Sequence, residues 1–275
     1  MRIKLPEIKI AILLASINFL LVDCSNNNNY KNNQTAYDTS YSVKLVYPIP
    51  TPLEISNMLN NAGASYILSI SNKPENVDKY FTDEARALNL GVYGADISYS
   101  ATYNKSQETM NFLACTKKLR DELEIQTTCR EDLVNRMERN IDNEDSVYFI
   151  LTCAYKNTFE YLNDNEKGTI SALILAGGWI EGLYISTELA ELTNKYKEIY
   201  QGIADQKETL NKLIPLMENY NENERVSEIC SKLKGLKTIF DELIVVEGKT
   251  QLSKANFILL KKEIDPLRKN VVETP

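Results

Sequence analysis

The stretch from Gly168 to Ala190, GTISALILAGGWIEGLYISTELA, constrains the fold of this chain more than any other. Its apolar residues point in nearly every direction at about 100° per residue, which is typical of a helix buried on all sides and not of an amphipathic one. Gly177, Gly178 and Gly182 each cost about 1 kcal/mol of helix propensity relative to alanine, which close approach of another helix or a ligand would offset. The stretch therefore predicts a central core helix.

The same stretch is about as long as a membrane-spanning helix, so a transmembrane interpretation has to be weighed against the core helix. Glu181 lies in its middle, where a carboxylate is costly in hydrocarbon. The flanking chain also lacks the Lys/Arg clusters and aromatic belts that usually border a span. These features favour a core helix of a soluble domain.

The chain of 275 residues contains no histidine, and this limits its chemistry. Without histidine, Ser-His and Cys-His nucleophile pairs are excluded, as is nearly every catalytic zinc or non-haem iron site. The formal net charge of -7 argues against a nucleic-acid partner. We therefore expect a protein that acts by binding, without catalytic residues, metal or cofactor.

The N-terminus indicates export. Residues 1–23 have a basic start and an apolar run from Ile10 to Val22, as a signal peptide does. Cys24 directly follows Leu21-Val22-Asp23, and this placement resembles the lipobox of bacterial lipoproteins, in which the cysteine is acylated and becomes the mature N-terminus. Leu21 matches that motif, whereas Asp23 stands where the motif prefers Gly, Ala or Ser. An ordinary signal peptide is the alternative.

Three segments follow from this reading. After the signal peptide of residues 1–23, residues 24–47 are polar, rich in asparagine and unable to bury a core, so we expect a disordered tether. Residues 48–275 then form a single helical domain. No acidic cluster lies beside Cys24, which favours an outer-membrane lipoprotein that faces the periplasm and is attached through its N-terminal lipid.

Helix signals recur throughout the third segment. The starts are Thr51-Pro52, Thr82, Asn104-x-x-Gln107, Thr128-x-x-Glu131 and Asp145. No segment alternates between apolar and polar residues for long enough to predict a sheet. Because the connections are short, we predict an all-α, multi-helix up-and-down bundle with the small-residue-rich helix buried at its centre.

Four cysteines remain besides Cys24: Cys115, Cys129, Cys153 and Cys230. Export permits disulfides, and four cysteines allow three pairings that their spacing cannot choose between. Each of them also lies in a helical apolar pattern, where a cysteine is a small hydrophobic residue. Both interpretations stay open.

A second helix, from Leu88 to Tyr103, also carries small residues at helical spacing, and we predict that it packs directly against the central one. If their polar stripes share a cavity, Asp96 and Glu181 become desolvated carboxylates ringed by tyrosines. A small polar ligand would then bind there. The candidate ligand-binding residues are Tyr93, Asp96, Tyr103, Trp179, Glu181 and Tyr184.

Other readings of these residues remain. The carboxylates could instead bind a tyrosine or a backbone N–H and fix helix register. As a pair they could hydrolyse a glycosidic bond, although nothing in their spacing selects this. The loop NDNEKGTI, residues 163–170, resembles a calcium loop only faintly, because it lacks most of the acidic ligands.

The lipobox, the Asn-rich tether and the segment NLGVYGADISY, Asn89 to Tyr99, together resemble a family of uncharacterised exported helical lipoproteins of Gram-negative gut-type bacteria. The resemblance covers most of the chain after the tether. It implies an all-helical fold and an envelope location, and no activity, ligand or catalytic residue is attached to it. Two functions therefore stay open: a scaffold that binds an envelope protein, and a small-ligand binder.

Overall fold

The computed structural model describes residues 52–125, 133–141, 143–192 and 196–275. The helices in chain order are α1 (Pro52–Asn61), α2 (Asp83–Thr102), α3 (Ser106–Glu122), α4 (Leu133–Asn140), α5 (Glu144–Asp164), α6 (Gly168–Leu192), α7 (Tyr196–Glu218), α8 (Glu224–Asp241) and α9 (Lys254–Glu273). Two short 3-10 helices, Leu68–Ile70 and Pro74–Lys79, lie between α1 and α2. A hairpin of β1 (Ile244–Val246) and β2 (Lys249–Gln251) lies between α8 and α9.

The predicted all-α bundle with a buried, small-residue-rich central helix is confirmed. Every residue of α6 from 171 to 183 is buried, including Glu181. Among the described helices, α6 is long and apolar enough to cross a membrane by length and composition, yet most of it is covered by the other helices. Its all-round apolar pattern is therefore explained by helices packed on every side.

The predicted contact between α2 and α6 is also confirmed, and it is a contact of backbones. A Cβ atom added to Gly91 would overlap the carbonyl oxygen of Ile174 and lie 2.6 Å from the backbone nitrogen of Gly178. A Cβ atom added to Gly177 would overlap the carbonyl oxygen of Leu88. These glycines are required because any side chain would force the two helices apart.

The helix starts differ from the predictions at two places. Thr82 caps α2 as predicted, since its Oγ1 accepts a hydrogen bond from the Ala85 N–H at 3.1 Å. The capping box at Asn104 is wrong, because Asn104 adopts a left-handed backbone with φ 55 that terminates α2. The cap at Asp145 is also wrong, because Asn143 caps α5 through a 2.9 Å bond from the Ser146 N–H. Thr51 and Thr128-x-x-Glu131 lie outside the described residues.

The hairpin contradicts the prediction that no sheet forms. Glu247 and Gly248 both have positive φ, 50 and 77, so a two-residue turn joins β1 to β2. Strands of three residues are too short to give an alternating pattern, which is why the sequence did not reveal them. Ile244 and Val245 of β1 are exposed.

Cys115 and Cys230 are both buried and carry free thiols, so no disulfide joins them. Cys115 donates to the carbonyl of Pro74 at 3.7 Å. Cys153 is half-buried in α5, and Cys24 and Cys129 lie outside the described residues. Cys115 and Cys230 therefore act as small core residues, and lipidation of Cys24 stays a prediction.

Gly91 is packed against backbone whereas Gly94 faces open space, and this difference gives the first prediction. Gly91→Ala should lower the free energy of unfolding by at least about 2 kcal/mol, because the new methyl group meets backbone that cannot move without separating α2 from α6. Gly94→Ala is the matched control, because nothing lies within 4 Å of its added Cβ. It should raise stability by up to about 1 kcal/mol through helix propensity. Urea unfolding measures both, and equal effects would contradict the backbone contact.

Candidate ligand-binding site

The six candidate residues lie on two flanks of the α2–α6 pair. Tyr93, Asp96, Glu181 and Tyr184 belong to a polar cluster around Arg268 of α9, which we call the ionic clasp. Its other members are Tyr80 and Asn89. Trp179 lines a cavity between α1, α2, α3, α5 and α6, and Leu133 of α4 also contributes to its wall. Tyr103 lies apart from both groups, in an aromatic cluster at the end of α2. The structure therefore does not bring the six together in one pocket.

Glu181 is fully buried and is paired with Arg268 of α9. The Nε and Nη2 atoms of Arg268 each donate to one carboxylate oxygen of Glu181 at 2.9 Å. Arg268 also donates through Nη2 to the carbonyl of Ile70 at 3.3 Å, and its guanidinium lies over the Tyr184 ring, 4.6 Å from the centroid. Burial raises the pKa of the Glu181 carboxyl, and the charge of Arg268 opposes that rise. Glu181 is thus held in a two-pronged ion pair.

Asp96 is equally buried but has no cation of its own. Its Oδ2 accepts from the backbone N–H of Asn72 at 3.2 Å, whereas Oδ1 has no hydrogen-bond partner among the described residues. Burial raises the pKa of Asp96 well above its ordinary value, and the negative charge of Glu181 raises it further, against the opposing effect of Arg268. The two carboxyls therefore have different environments, and Asp96 is the one that favours its neutral form.

The remaining polar residues of the clasp secure the ends of other elements. Asn89 and Tyr80 donate to the carbonyls of Val271 and Val272 at 3.0 and 3.1 Å. Those carbonyls belong to the last turn of α9, where no intrahelical donor remains. Tyr93 donates to the carbonyl of Lys73 at 2.8 Å. The clasp thereby joins the segment before α2 and the last helix to the central pair.

Tyr103 packs against Tyr66 and Tyr99, with ring centroids 5.8 and 5.2 Å away. Burial raises the pKa of Tyr103 to about 12, so its hydroxyl stays protonated. The Tyr99 hydroxyl accepts from the backbone N–H of Ile67 at 2.8 Å. This aromatic cluster fixes the segment between α1 and α2.

The cavity lies on the other flank of the helix pair. It has a volume of about 120 Å³, is partly open to solvent, and is lined mainly by aliphatic and aromatic side chains. Its outer wall is α5, where residues 151–158 are all only half-buried. Gly94 contributes a bare stretch of backbone to it. Apolar walls with few polar groups between the helices of a bundle are typical of small-molecule sites.

Two polar atoms of the cavity residues lack partners. Trp179 is 3 % exposed, and its indole Nε1 makes no hydrogen bond within the described chain. The Nε atom of Arg120 is buried and likewise has no described partner. Buried donors are nearly always hydrogen-bonded in folded proteins, so both atoms are exceptions. Both are fully covered by the protein and do not face the open space of the cavity.

The sequence indicated some of these features and missed others. Residues two apart on a helix point in nearly opposite directions, so Trp179 and Glu181 could have been separated in advance. Arg268 and Arg120 gave no such signal, since an arginine in an amphipathic helix usually reaches solvent. Among the described residues, no group of three or more Cys, Asp and Glu side chains is placed to hold a metal ion.

Comparison with known proteins adds no relative: no family model, curated protein or solved structure matches this chain. The resemblance to exported helical lipoproteins therefore stays a prediction. The geometry of the two flanks of the α2–α6 pair is therefore what bears on function.

The two buried carboxyls give the second prediction. Glu181→Gln should lower the free energy of unfolding by about 3–5 kcal/mol, because the Arg268 charge stays buried without its counter-charge. Asp96→Asn is the matched control and should be at least as stable as the wild type at neutral pH, because it removes a carboxyl that favours its neutral form.

The Asp96→Asn variant should also differ from the wild type in how its stability depends on pH. Because the pKa of Asp96 is raised on folding, the native state holds more protons than the unfolded state, and wild-type stability falls as pH rises from the unfolded pKa of about 4 towards the folded one. Asp96→Asn should lack that part of the slope. Urea unfolding across this pH range checks both, and a Glu181→Gln protein as stable as Asp96→Asn would contradict the ion pair.

Proposed function

We propose that this chain is a lipid-anchored, non-enzymatic binding protein of the cell envelope, and that it binds a small, mainly apolar molecule in the cavity between α2, α5 and α6. The single observation that carries the proposal is the cavity itself, which has a volume of about 120 Å³, is partly open to solvent and is lined mainly by apolar side chains. The ionic clasp is assigned a structural role, because both oxygens of Glu181 are already bound by Arg268.

The size of the cavity limits the ligand. An apolar cavity of about 150 Å³ in another protein holds one benzene molecule, so a cavity of about 120 Å³ fits a body of about that size. Larger molecules would have to extend past the half-buried residues of α5. The ligand of this proposal is therefore small, and its apolar part packs beside the bare backbone of Gly94.

The third prediction fills the cavity from inside. Gly94→Leu should abolish ligand uptake while the protein stays folded, because the leucine side chain enters space in which nothing lies within 4 Å of an added Cβ. Native mass spectrometry of the purified exported protein, compared with a denatured sample, measures a bound mass. Trp179 is the only tryptophan, so its fluorescence also reports on the cavity.

The matched control is Gly235→Leu in α8, another helical glycine with nothing within 4 Å of an added Cβ, but one that lies at the surface. It should keep the wild-type bound mass and fluorescence response. If the wild type carries no bound mass and responds to no apolar probe, or if both variants behave alike, the cavity proposal fails.

The membrane anchor is the other part of the proposal, supported by the placement of Cys24 after Leu21-Val22-Asp23. The fourth prediction is that Cys24→Ser releases the protein from membranes into the soluble envelope fraction, because no thiol remains for acylation. Fractionation and the mass of the N-terminal peptide measure this. An unacylated N-terminus in the wild type would favour the ordinary signal peptide.

One observation favours a second candidate function, a scaffold that binds an envelope protein. Ile244, Val245 and Val246 of β1 are 64, 66 and 40 % exposed, which is unusual for three consecutive aliphatic residues. An exposed apolar strand can pair with a strand of another protein. A wild type without any bound molecule would turn attention to this hairpin.

A further inference from the structure

We infer that the cavity ligand is a small neutral molecule with one hydroxyl or carbonyl oxygen, and that this oxygen is hydrogen-bonded by the hydroxyls which α5 presents to the cavity, those of Thr152 and Tyr155. This inference rests on the proposed ligand-binding function and adds the chemical class of the ligand. The hydroxyl groups of the cavity lining belong to Ser98, Thr116, Thr152, Tyr155 and Thr158.

Three of these hydroxyls are used within their own helices. Ser98, Thr116 and Thr158 each donate to a backbone carbonyl of the preceding turn, at 3.0, 2.9 and 2.8 Å. A serine or threonine inside a helix commonly bonds in this way. These three side chains therefore keep no free donor for a ligand.

The hydroxyls of Thr152 and Tyr155 are different. Neither forms a hydrogen bond within the described parts of the chain, although both residues line the cavity. Unlike Nε1 of Trp179, neither oxygen is fully covered by the protein. The two residues are three positions apart on α5 and so lie on one face of the helix. The outer wall of the cavity thus carries two accessible hydroxyls that the protein does not use.

The Tyr155 hydroxyl lies in the enclosed part of this region. Burial raises the pKa of Tyr155 well above its ordinary value, whereas a phenol that reached bulk water would keep that value. The Tyr155 ring packs against Phe159, another residue of the lining, with ring centroids 4.5 Å apart. An oxygen that is desolvated but still accessible faces the space of the cavity. A ligand oxygen would give it the partner that a buried hydroxyl usually has.

The charges around the cavity favour a neutral ligand. The negative charge of Glu54 also raises the pKa of Tyr155, so it would repel an anion bound beside that hydroxyl. Arg120 belongs to the lining and would repel a cation. Hydroxyls both donate and accept, and so they bind an alcohol, a phenol or a ketone without any charge. Because the rest of the lining is mainly apolar, a molecule with many polar groups, such as a sugar, is disfavoured.

The experiment compares benzene with phenol, which differ by one hydroxyl. Binding to the exported protein is measured by calorimetry at neutral pH. A cavity without available hydroxyls would bind phenol more weakly than benzene, because the phenol oxygen would lose water without gaining a partner. Phenol should instead bind the wild type at least as tightly as benzene. Benzyl alcohol, benzylamine and benzoate test the charge, and benzyl alcohol should bind most tightly of these three.

Two double variants locate the effect. Thr152→Val with Tyr155→Phe removes both oxygens and keeps the shape of the side chains, so the affinity for phenol relative to benzene should fall at least about fivefold. Tyr148→Phe with Thr158→Val is the matched control on the same helix. Tyr148 is not part of the cavity lining, and the Thr158 hydroxyl is already bonded within α5. The control should keep the wild-type ratio.

The outcomes separate this inference from the function beneath it. If no probe binds the wild type, the cavity proposal itself is overturned. If the wild type prefers benzene to phenol or a charged probe to benzyl alcohol, or if the variant without both hydroxyls keeps the wild-type ratio, the inferred ligand class is wrong while the cavity stands. Thermal unfolding by circular dichroism confirms that each variant is folded. Should the double variant not fold, Thr152→Val and Tyr155→Phe are measured singly, and at least one of them must lower the ratio.

Discussion

The rest of the structure depends on the backbone contact of α2 with α6. Gly91, Gly177 and Gly178 let the two helices meet without side chains between them. Bulky residues are then displaced to the two flanks of the pair, where the other helices must cover them. One flank is filled by the ionic clasp and α9, and the other is covered by α5 and encloses the cavity. A single close contact thus underlies both the ionic clasp and the cavity.

The clasp specifies how the helices are arranged more than it adds to the net stability of the fold. A buried ion pair loses much of its Coulomb energy to desolvation, so Glu181 and Arg268 together contribute less than the strength of their two hydrogen bonds suggests. Their positions matter more than their net energy, because Arg268 also donates a hydrogen bond to the Ile70 carbonyl. An aliphatic pair could fill the same volume, but it would not fix the register of α9 against α6 and the segment before α2.

The sequence was most informative where spacing alone decides the outcome. The glycines of α6 and the small residues of Leu88–Tyr103 predicted their contact, since small residues at helical spacing on two segments have few other uses. Arg268 could not be assigned to Glu181, because 87 positions separate them and many lysines and arginines were equally eligible. The cavity was also out of reach, because an unfilled space depends on how α5 covers the pair and not on any residue pattern.

The two flanks bear on binding in different ways. Association loses affinity when a protein must order itself around its ligand. The inner wall of the cavity is formed by α2 and α6, whose separation is set by glycine backbone. In the proposed binding function, that wall therefore needs no rearrangement before a ligand binds. The outer wall has residues 151–158 half-buried, so any adjustment to the size of a ligand falls on α5.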